Sequence, residues 1–136
     1  MAHSTPHDWH STDYVEAWVK ERNREDPSRA THFDIMSKLL PIARNQRATI
    51  LDIGAGYGPL AKVLIEAYPS ANLVLQDFSQ PMLKEAKERL SIHSDRVDFI
   101  VSDLMKADWA ANIGPVEAIV SSMGLHNLGA PDRVRE

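Results

Sequence analysis

The sequence predicts an α/β domain built on a parallel sheet. Short apolar stretches, each long enough for a strand, alternate with longer stretches whose apolar residues recur every three or four positions. Strands that are separated by helices indicate right-handed units of one parallel sheet. A glycine-rich turn directly after the first apolar stretch supports this architecture, because ligands of such sheets lie at the carboxyl ends of the strands. The 136 residues are enough for one domain with one core.

The composition narrows the class of protein. The chain has no cysteine, which excludes disulfides, thiolate zinc sites and cysteine nucleophiles. A net charge of -4 argues against a basic face for nucleic acid, and no apolar run approaches the roughly 20 residues of a membrane helix. The first ten residues lack the apolar core of a signal peptide. We therefore expect a cytoplasmic protein that binds neither nucleic acid nor membranes.

The N-terminal third is predicted to lie outside the sheet. Residues 1–10 are expected to form a flexible tail, since their three histidines lie in no helical context that would favour the alternative, a metal site. Residues 11–45 are expected to form a cap of two amphipathic helices. The first is capped by Ser11 or Thr12, and the second begins at Pro27 and runs to about residue 40.

Residues 46–136 are predicted to form the sheet domain. Its predicted strands are 48–53, 71–76, 96–102 and 115–121, and its predicted helices are 59–68 and 79–90. Ser79 is the expected N-cap of the second of these helices, and Pro131 is a candidate start for one more helix.

The glycine turn after strand one is the most informative motif. Gly54, Gly56 and Gly58 allow positive φ and leave the backbone open to a ligand, and a helix follows whose N–H groups point at that ligand. Dinucleotide-binding enzymes use G-x-G-x-x-G, but here the third glycine comes one residue early. The carboxylate of Asp52 would repel a pyrophosphate and suits an ammonium group. A structural turn without a ligand is the alternative.

Acidic residues also follow strands two and three. Asp77 can accept hydrogen bonds from both ribose hydroxyls, and Asp103 can accept one from an adenine amino group. Each acid taken alone could be a helix cap or a solvated loop residue. Together with Asp52 and the glycine turn, they predict a cofactor of the adenosine type.

Four segments resemble the motifs of class I S-adenosylmethionine-dependent methyltransferases, which have a Rossmann-like fold. They are residues 51–58, 77–83, 97–108 and 117–122, with Glu117 where the family usually has aspartate. The resemblance covers roughly residues 48–128. It implies S-adenosyl-L-methionine as cofactor, with Phe78 and Met82 packing on the adenine ring. The cofactor-binding residues that we predict are Asp52, Gly54, Ala55, Gly56, Asp77, Phe78, Met82, Asp103, Leu104 and Ser121.

The family fold has seven strands, whereas this chain ends at Glu136, just after strand four. We therefore expect a sheet in the order 3-2-1-4 that lacks strands five to seven and leaves strand four at an open edge. Such an edge should not face water, so we expect a homo-oligomer or a domain swap to cover it. Such a fragment could be inactive.

The methyl acceptor is expected near the end of strand four, and the resemblance favours a small molecule with an oxygen or nitrogen acceptor. His126 is the candidate general base, although Asn127-Leu128 follows it instead of the Asp-Trp of related O-methyltransferases, and a packing role is the alternative. No Pro-Pro-Tyr motif follows strand four, which disfavours methylation of adenine in DNA. A non-catalytic cofactor-binding or protein-interaction module and a nicotinamide-dependent oxidoreductase are the competing functions.

Overall fold

A computed structural model describes residues 8–22 and 27–121 of the chain. Its helices are α1 (Thr12–Arg22), α2 (Pro27–Lys38), α3 (Pro59–Ala67) and α4 (Gln80–Arg89), and a 3₁₀ helix spans Ser91–Arg96. Its strands are β1 (Thr49–Ile53), β2 (Asn72–Asp77), β3 (Val97–Val101) and β4 (Ala118–Val120). Within the described ranges the four strands form one parallel sheet in the order β3-β2-β1-β4, which confirms the predicted class and strand order.

The central strand β1 is buried on both of its faces. Ile50 and Leu51 point to opposite sides, yet they are 0% and 2% exposed. This explains why β1 reads as a mostly apolar run and not as an alternating one. The edge strand β4 is shorter than the predicted 115–121 and pairs with β1 over only three residues. Pro115 has no N–H with which to extend the ladder, and Ile119 is 60% exposed at this edge.

The main core lies between one face of the sheet and the helices. Helices α3 and α4 pack on the sheet, and α2 packs on α3. Ser79 caps α4 as predicted, because its hydroxyl oxygen accepts a hydrogen bond from the N–H of Met82 at 3.1 Å. Helix α2 ends at Lys38, two residues before the predicted end, and Leu39 is exposed.

The last three residues of the predicted tail, 8–10, lie in the described part of the chain. The N–H of Ser11 donates to the carbonyl of Asp8 at 3.1 Å, which closes a turn over residues 8–11. The side chain of Trp9 packs on a second apolar cluster, which joins α1 to α4. The buried members of that cluster are Val15, Val19, Tyr57 and Met82.

Other predictions fall on residues that the structure does not describe. His126, the helix expected from Pro131 and the first seven residues of the tail lie outside the described residues. No helix in the described part of the chain has both the length and the apolarity that are needed to cross a membrane.

Candidate cofactor-binding site

The glycine turn adopts the conformation that its sequence requires. Gly54, Gly56 and Gly58 have φ values of 64°, 61° and 89°, a region that residues with a Cβ rarely enter. The third glycine also permits close packing, because a Cβ at Gly58 would lie 3.3 Å from the Cβ of Ala86 on α4. The turn therefore presents open backbone above the sheet and holds α3 against α4.

Asp77, at the end of β2, ties the turn to the start of α4. One carboxylate oxygen accepts from the N–H of Gly56 and the other from the N–H of Ser79, both at 2.9 Å. Burial raises the pKa of Asp77 above its usual value, and hydrogen bonds from backbone N–H groups act in the opposite direction. Each oxygen still has a lone pair for a further donor, such as a ribose hydroxyl.

Asp52 is completely buried beneath the turn. Within the described residues, neither of its carboxylate oxygens has a hydrogen-bond partner. Burial raises the pKa of Asp52 to about 8, and the neighbouring Asp77 adds to the rise. The group is therefore mostly protonated at neutral pH, and a cation placed beside it would favour its ionised form. This chemistry fits a cofactor that carries an ammonium group.

Gln76 is a buried residue that our sequence analysis did not identify as part of the site. Its side-chain oxygen accepts from the N–H of Gly54 at 2.9 Å, and its side-chain nitrogen donates to the carbonyl of Ser102 at 2.7 Å. The amide thereby joins the carboxyl ends of β1, β2 and β3. Gln76 is a polar residue directly after the apolar residues of β2, and this position is the signal by which sequence analysis could have found it.

We expect Gln76→Leu to lower the free energy of unfolding by about 2–4 kcal/mol, because it leaves Gly54 N–H and Ser102 C=O without their partner. Urea denaturation followed by circular dichroism measures the change. Gln46→Leu is the matched control, since the exposed Gln46 side chain also accepts one backbone hydrogen bond, from Ala43. Its expected cost is below about 1 kcal/mol. Equal losses in the two variants would contradict the role of Gln76.

Six of the ten predicted cofactor-binding residues meet in one narrow space, which we call the glycine-turn slot. They are Gly54, Ala55, Gly56, Asp77, Phe78 and Met82, and the slot is also lined by Trp9, Trp18, Tyr57 and Pro59. Asp52 lies beneath the turn and does not line the slot. Sequence analysis did not assign Trp9 to the site, although an aromatic residue in a polar stretch was a signal.

The remaining predicted residues are not brought to the slot. Asp103 is exposed, and its carboxylate accepts from the N–H of Met105 at 2.9 Å, which makes it a loop cap. Leu104 and Ser121 are half-buried and do not line the slot either. Among the residues that the structure describes, no three histidine or carboxylate groups come together as a metal site would require.

The slot is much smaller than the cofactor that its residues suit. Its volume is about 20 Å³, which holds little more than one water molecule, whereas ligand pockets usually measure roughly 300–1,000 Å³. A wider open cleft of about 520 Å³ lies next to it, between α4 and the edge strand β3. None of the predicted cofactor-binding residues lines that cleft. The polar groups therefore fit an adenosine-type cofactor, but the described conformation does not admit one.

Comparison with known proteins identifies the family. Residues 50–135 match the family model described as "Methyltransferase domain". The chain belongs to this family. Membership confirms the predicted class, a class I S-adenosylmethionine-dependent methyltransferase domain, and the predicted cofactor, S-adenosyl-L-methionine.

Curated relatives match part of their own length. A malonyl-[acyl-carrier protein] O-methyltransferase of Neorickettsia risticii is 37% identical over 79 residues, which are 58% of this chain and 29% of that protein. The first three such relatives are matched over 29% to 44% of their length, so the chain spans less than half of each. Other relatives are named for ubiquinone and menaquinone biosynthesis and for trans-aconitate. The family thus includes proteins with different acceptors.

Solved structures share the fold. An O-methyltransferase family 2 protein of Planctomyces limnophilus, in complex with apigenin, aligns with a TM-score of 0.67 at 20% identity, over 97% of this chain and 39% of that one. A methyltransferase of Thiobacillus denitrificans, in complex with S-adenosyl-L-homocysteine, aligns with a TM-score of 0.55 at 19% identity, over 81% and 42% of the two chains. Both likenesses support the Rossmann-like methyltransferase architecture of the described residues.

Proposed function

We propose that the chain is the cofactor-binding part of an enzyme that transfers a methyl group from S-adenosylmethionine to a small molecule. The observation that carries this proposal is the arrangement at the ends of β1 and β2. The open glycine turn, the carboxylate of Asp77 and the apolar side chains of Phe78 and Met82 face one slot, with Asp52 buried beneath it. These groups match an adenosine that carries a cationic amino acid end.

The residues of the chain would bind and orient the cofactor, whose sulfonium supplies an activated methyl group. Asp77 would accept hydrogen bonds from the ribose hydroxyls, and Phe78 and Met82 would pack on the adenine. Asp52 would lie beside the ammonium group and balance its charge. Asp103, Leu104 and Ser121 stay predictions, since their contribution requires the loops after β3 and β4 to approach the slot.

The methyl acceptor is part of our proposal, because membership of the family does not identify it. Relatives are named for malonyl-[acyl-carrier protein], for ubiquinone and menaquinone biosynthesis and for trans-aconitate, and one is named a C-methyltransferase. An oxygen or nitrogen acceptor therefore stays a prediction for this chain. The role of His126 as general base, the cytoplasmic location and an oligomeric partner for β4 stay predictions as well. If His126 is the base, it serves an acceptor that must lose a proton.

We expect S-adenosylhomocysteine, and not NAD, to stabilise the protein against heat. A ligand at 100 times its dissociation constant adds about 2.7 kcal/mol to the free energy of unfolding, which a thermal melt detects as a rise of several degrees. Stabilisation by NAD alone would favour the oxidoreductase alternative. Incubation with labelled S-adenosylmethionine and a panel of phenols, carboxylates and amines then separates transfer from binding without transfer.

A further inference from the structure

The turn over residues 8–11, which we call the N-terminal strap, lies on the residues that the proposed function assigns to the cofactor. Trp9 lines the glycine-turn slot together with Gly56, Asp77 and Met82. The backbone carbonyl of Trp9 accepts a hydrogen bond from the hydroxyl of Ser79, the residue that caps α4. The strap therefore contacts both sides of the slot.

The side chain of His10 contacts one of the two residues that the family resemblance assigns to the adenine ring. The ring of His10 packs edge-on against Phe78, with 5.3 Å between ring centroids. Phe78 is the residue that the family resemblance assigns to the adenine ring. Trp9 in turn packs edge-on against Tyr14 and Trp18, each at 5.2 Å, so the strap is held to α1 by aromatic contacts.

The strap borders two spaces. Trp9 lines the slot of about 20 Å³, and His10 lines the neighbouring cleft of about 520 Å³. Moving the Trp9–His10 turn away would remove part of the wall of both spaces. Trp18 of α1 and Tyr57 also line the slot, so the strap is the part of its wall that belongs to no helix or strand of the sheet domain.

We propose that the N-terminal strap is an intramolecular competitor of the cofactor: it closes the slot in the free protein and must leave before S-adenosylmethionine can bind. The inference rests on the proposed function, because it concerns the same slot. A segment that must be displaced lowers the apparent affinity by the fraction of molecules in which the slot is open. Removing the anchor of the strap should therefore strengthen cofactor binding, which is the opposite of what removing a cofactor contact does.

Trp9→Ala should bind S-adenosylhomocysteine more tightly than the wild type, on the order of 10-fold, because it removes two aromatic contacts that hold the strap in place. Isothermal titration calorimetry measures both affinities. Trp109→Ala is the matched control, since Trp109 lies in the loop between β3 and β4 and does not line the slot. We expect its affinity to equal that of the wild type.

Hydrogen exchange of the wild-type protein provides a second test that does not depend on a variant. The N–H groups of His10 and Ser11 donate to Asp8 in the closed strap, so S-adenosylhomocysteine should accelerate their exchange while it slows that of Gly56. Equal or weaker binding by Trp9→Ala overturns the proposal, as does unchanged exchange at His10 and Ser11 in a wild type that binds. If neither protein binds S-adenosylhomocysteine, the proposed function fails together with the strap.

Discussion

Asp77→Ala weakens the binding of S-adenosylhomocysteine by roughly 30- to 1,000-fold, which corresponds to a loss of about 2–4 kcal/mol. The expected loss is large because the carboxylate of Asp77 would accept two ribose hydroxyls in a site that is shielded from water. Asp77 is only 6% exposed, and its backbone donors hold both oxygens in place before the ligand arrives. Calorimetric titration of wild type and variant measures the change.

The same substitution also removes two hydrogen bonds that hold the site together. Gly56 N–H and Ser79 N–H lose their acceptor, so part of the effect could come from a displaced turn. Urea denaturation of the variant shows how much of the loss comes from a destabilised turn and how much from the missing ligand contact. Asp77→Asn is a second variant, which keeps one acceptor oxygen but removes the charge. Asp98→Ala, an exposed acid on β3, is the control and should bind with wild-type affinity. Wild-type affinity in Asp77→Ala would remove Asp77 from the cofactor site.

Asp52→Asn stabilises the protein above pH 5, and the gain grows with pH. Burial raises the pKa of Asp52 to about 8 in the folded protein, from the usual value of 3.8 that applies to the unfolded chain. Between these two values the folded state holds a proton that the unfolded state has lost. The free energy of unfolding of the wild type therefore falls by roughly 1.4 kcal/mol per pH unit for this group. Asparagine has no such proton, so the variant lacks this contribution.

Urea denaturation at pH 5, 6, 7 and 8 measures the effect as the difference between variant and wild type. At pH 5 the free energy of unfolding of the variant should exceed that of the wild type by roughly 1–2 kcal/mol. The reason is that pH 5 lies about one unit above the pKa of Asp52 in the unfolded chain. By pH 7.5 the advantage should reach several kcal/mol, and it should level off above pH 8. A difference that does not change with pH would show that Asp52 is not protonated in the folded protein.

The same group should link cofactor binding to a proton. If the ammonium group of the ligand lies beside Asp52, binding favours the ionised carboxylate and releases a proton at pH 7. Titrations in phosphate and in Tris, which differ in ionisation enthalpy, should then give different heats for the wild type and more similar heats for Asp52→Asn. Identical heats in both buffers for the wild type would place the ammonium group elsewhere.

Patterns in the chain were sufficient to predict most of the fold and six of the ten residues that line the glycine-turn slot. The alternation of apolar runs and amphipathic stretches predicted four parallel strands, and the resemblance to the family implied their order, which the structure confirms. The glycine spacing predicted a turn with positive φ, and Ser79 predicted the start of α4. The turn and the helix cap depend on neighbours within a few residues, so the sequence displays their cause directly.

Side-chain contacts between distant segments could not be predicted in this way. Gln76 looks like any strand residue until β1 and β3 place Gly54 and Ser102 on either side of it, 22 and 26 residues away in the chain. Asp77 and Asp103 each accept from the N–H two residues on, yet Asp77 is buried at the slot whereas Asp103 is exposed and does not line it.

The sequence by itself determined the kind of site, an open glycine turn between carboxylates at the ends of parallel strands, because residue type and spacing set backbone conformation and charge. Only the tertiary structure decided which of those groups share a slot and what lies in it. The contact of Trp9 with Ser79, 70 residues away, shows the reason. It depends on the packing of α1 against α4, and no local pattern specifies how two distant helices pack.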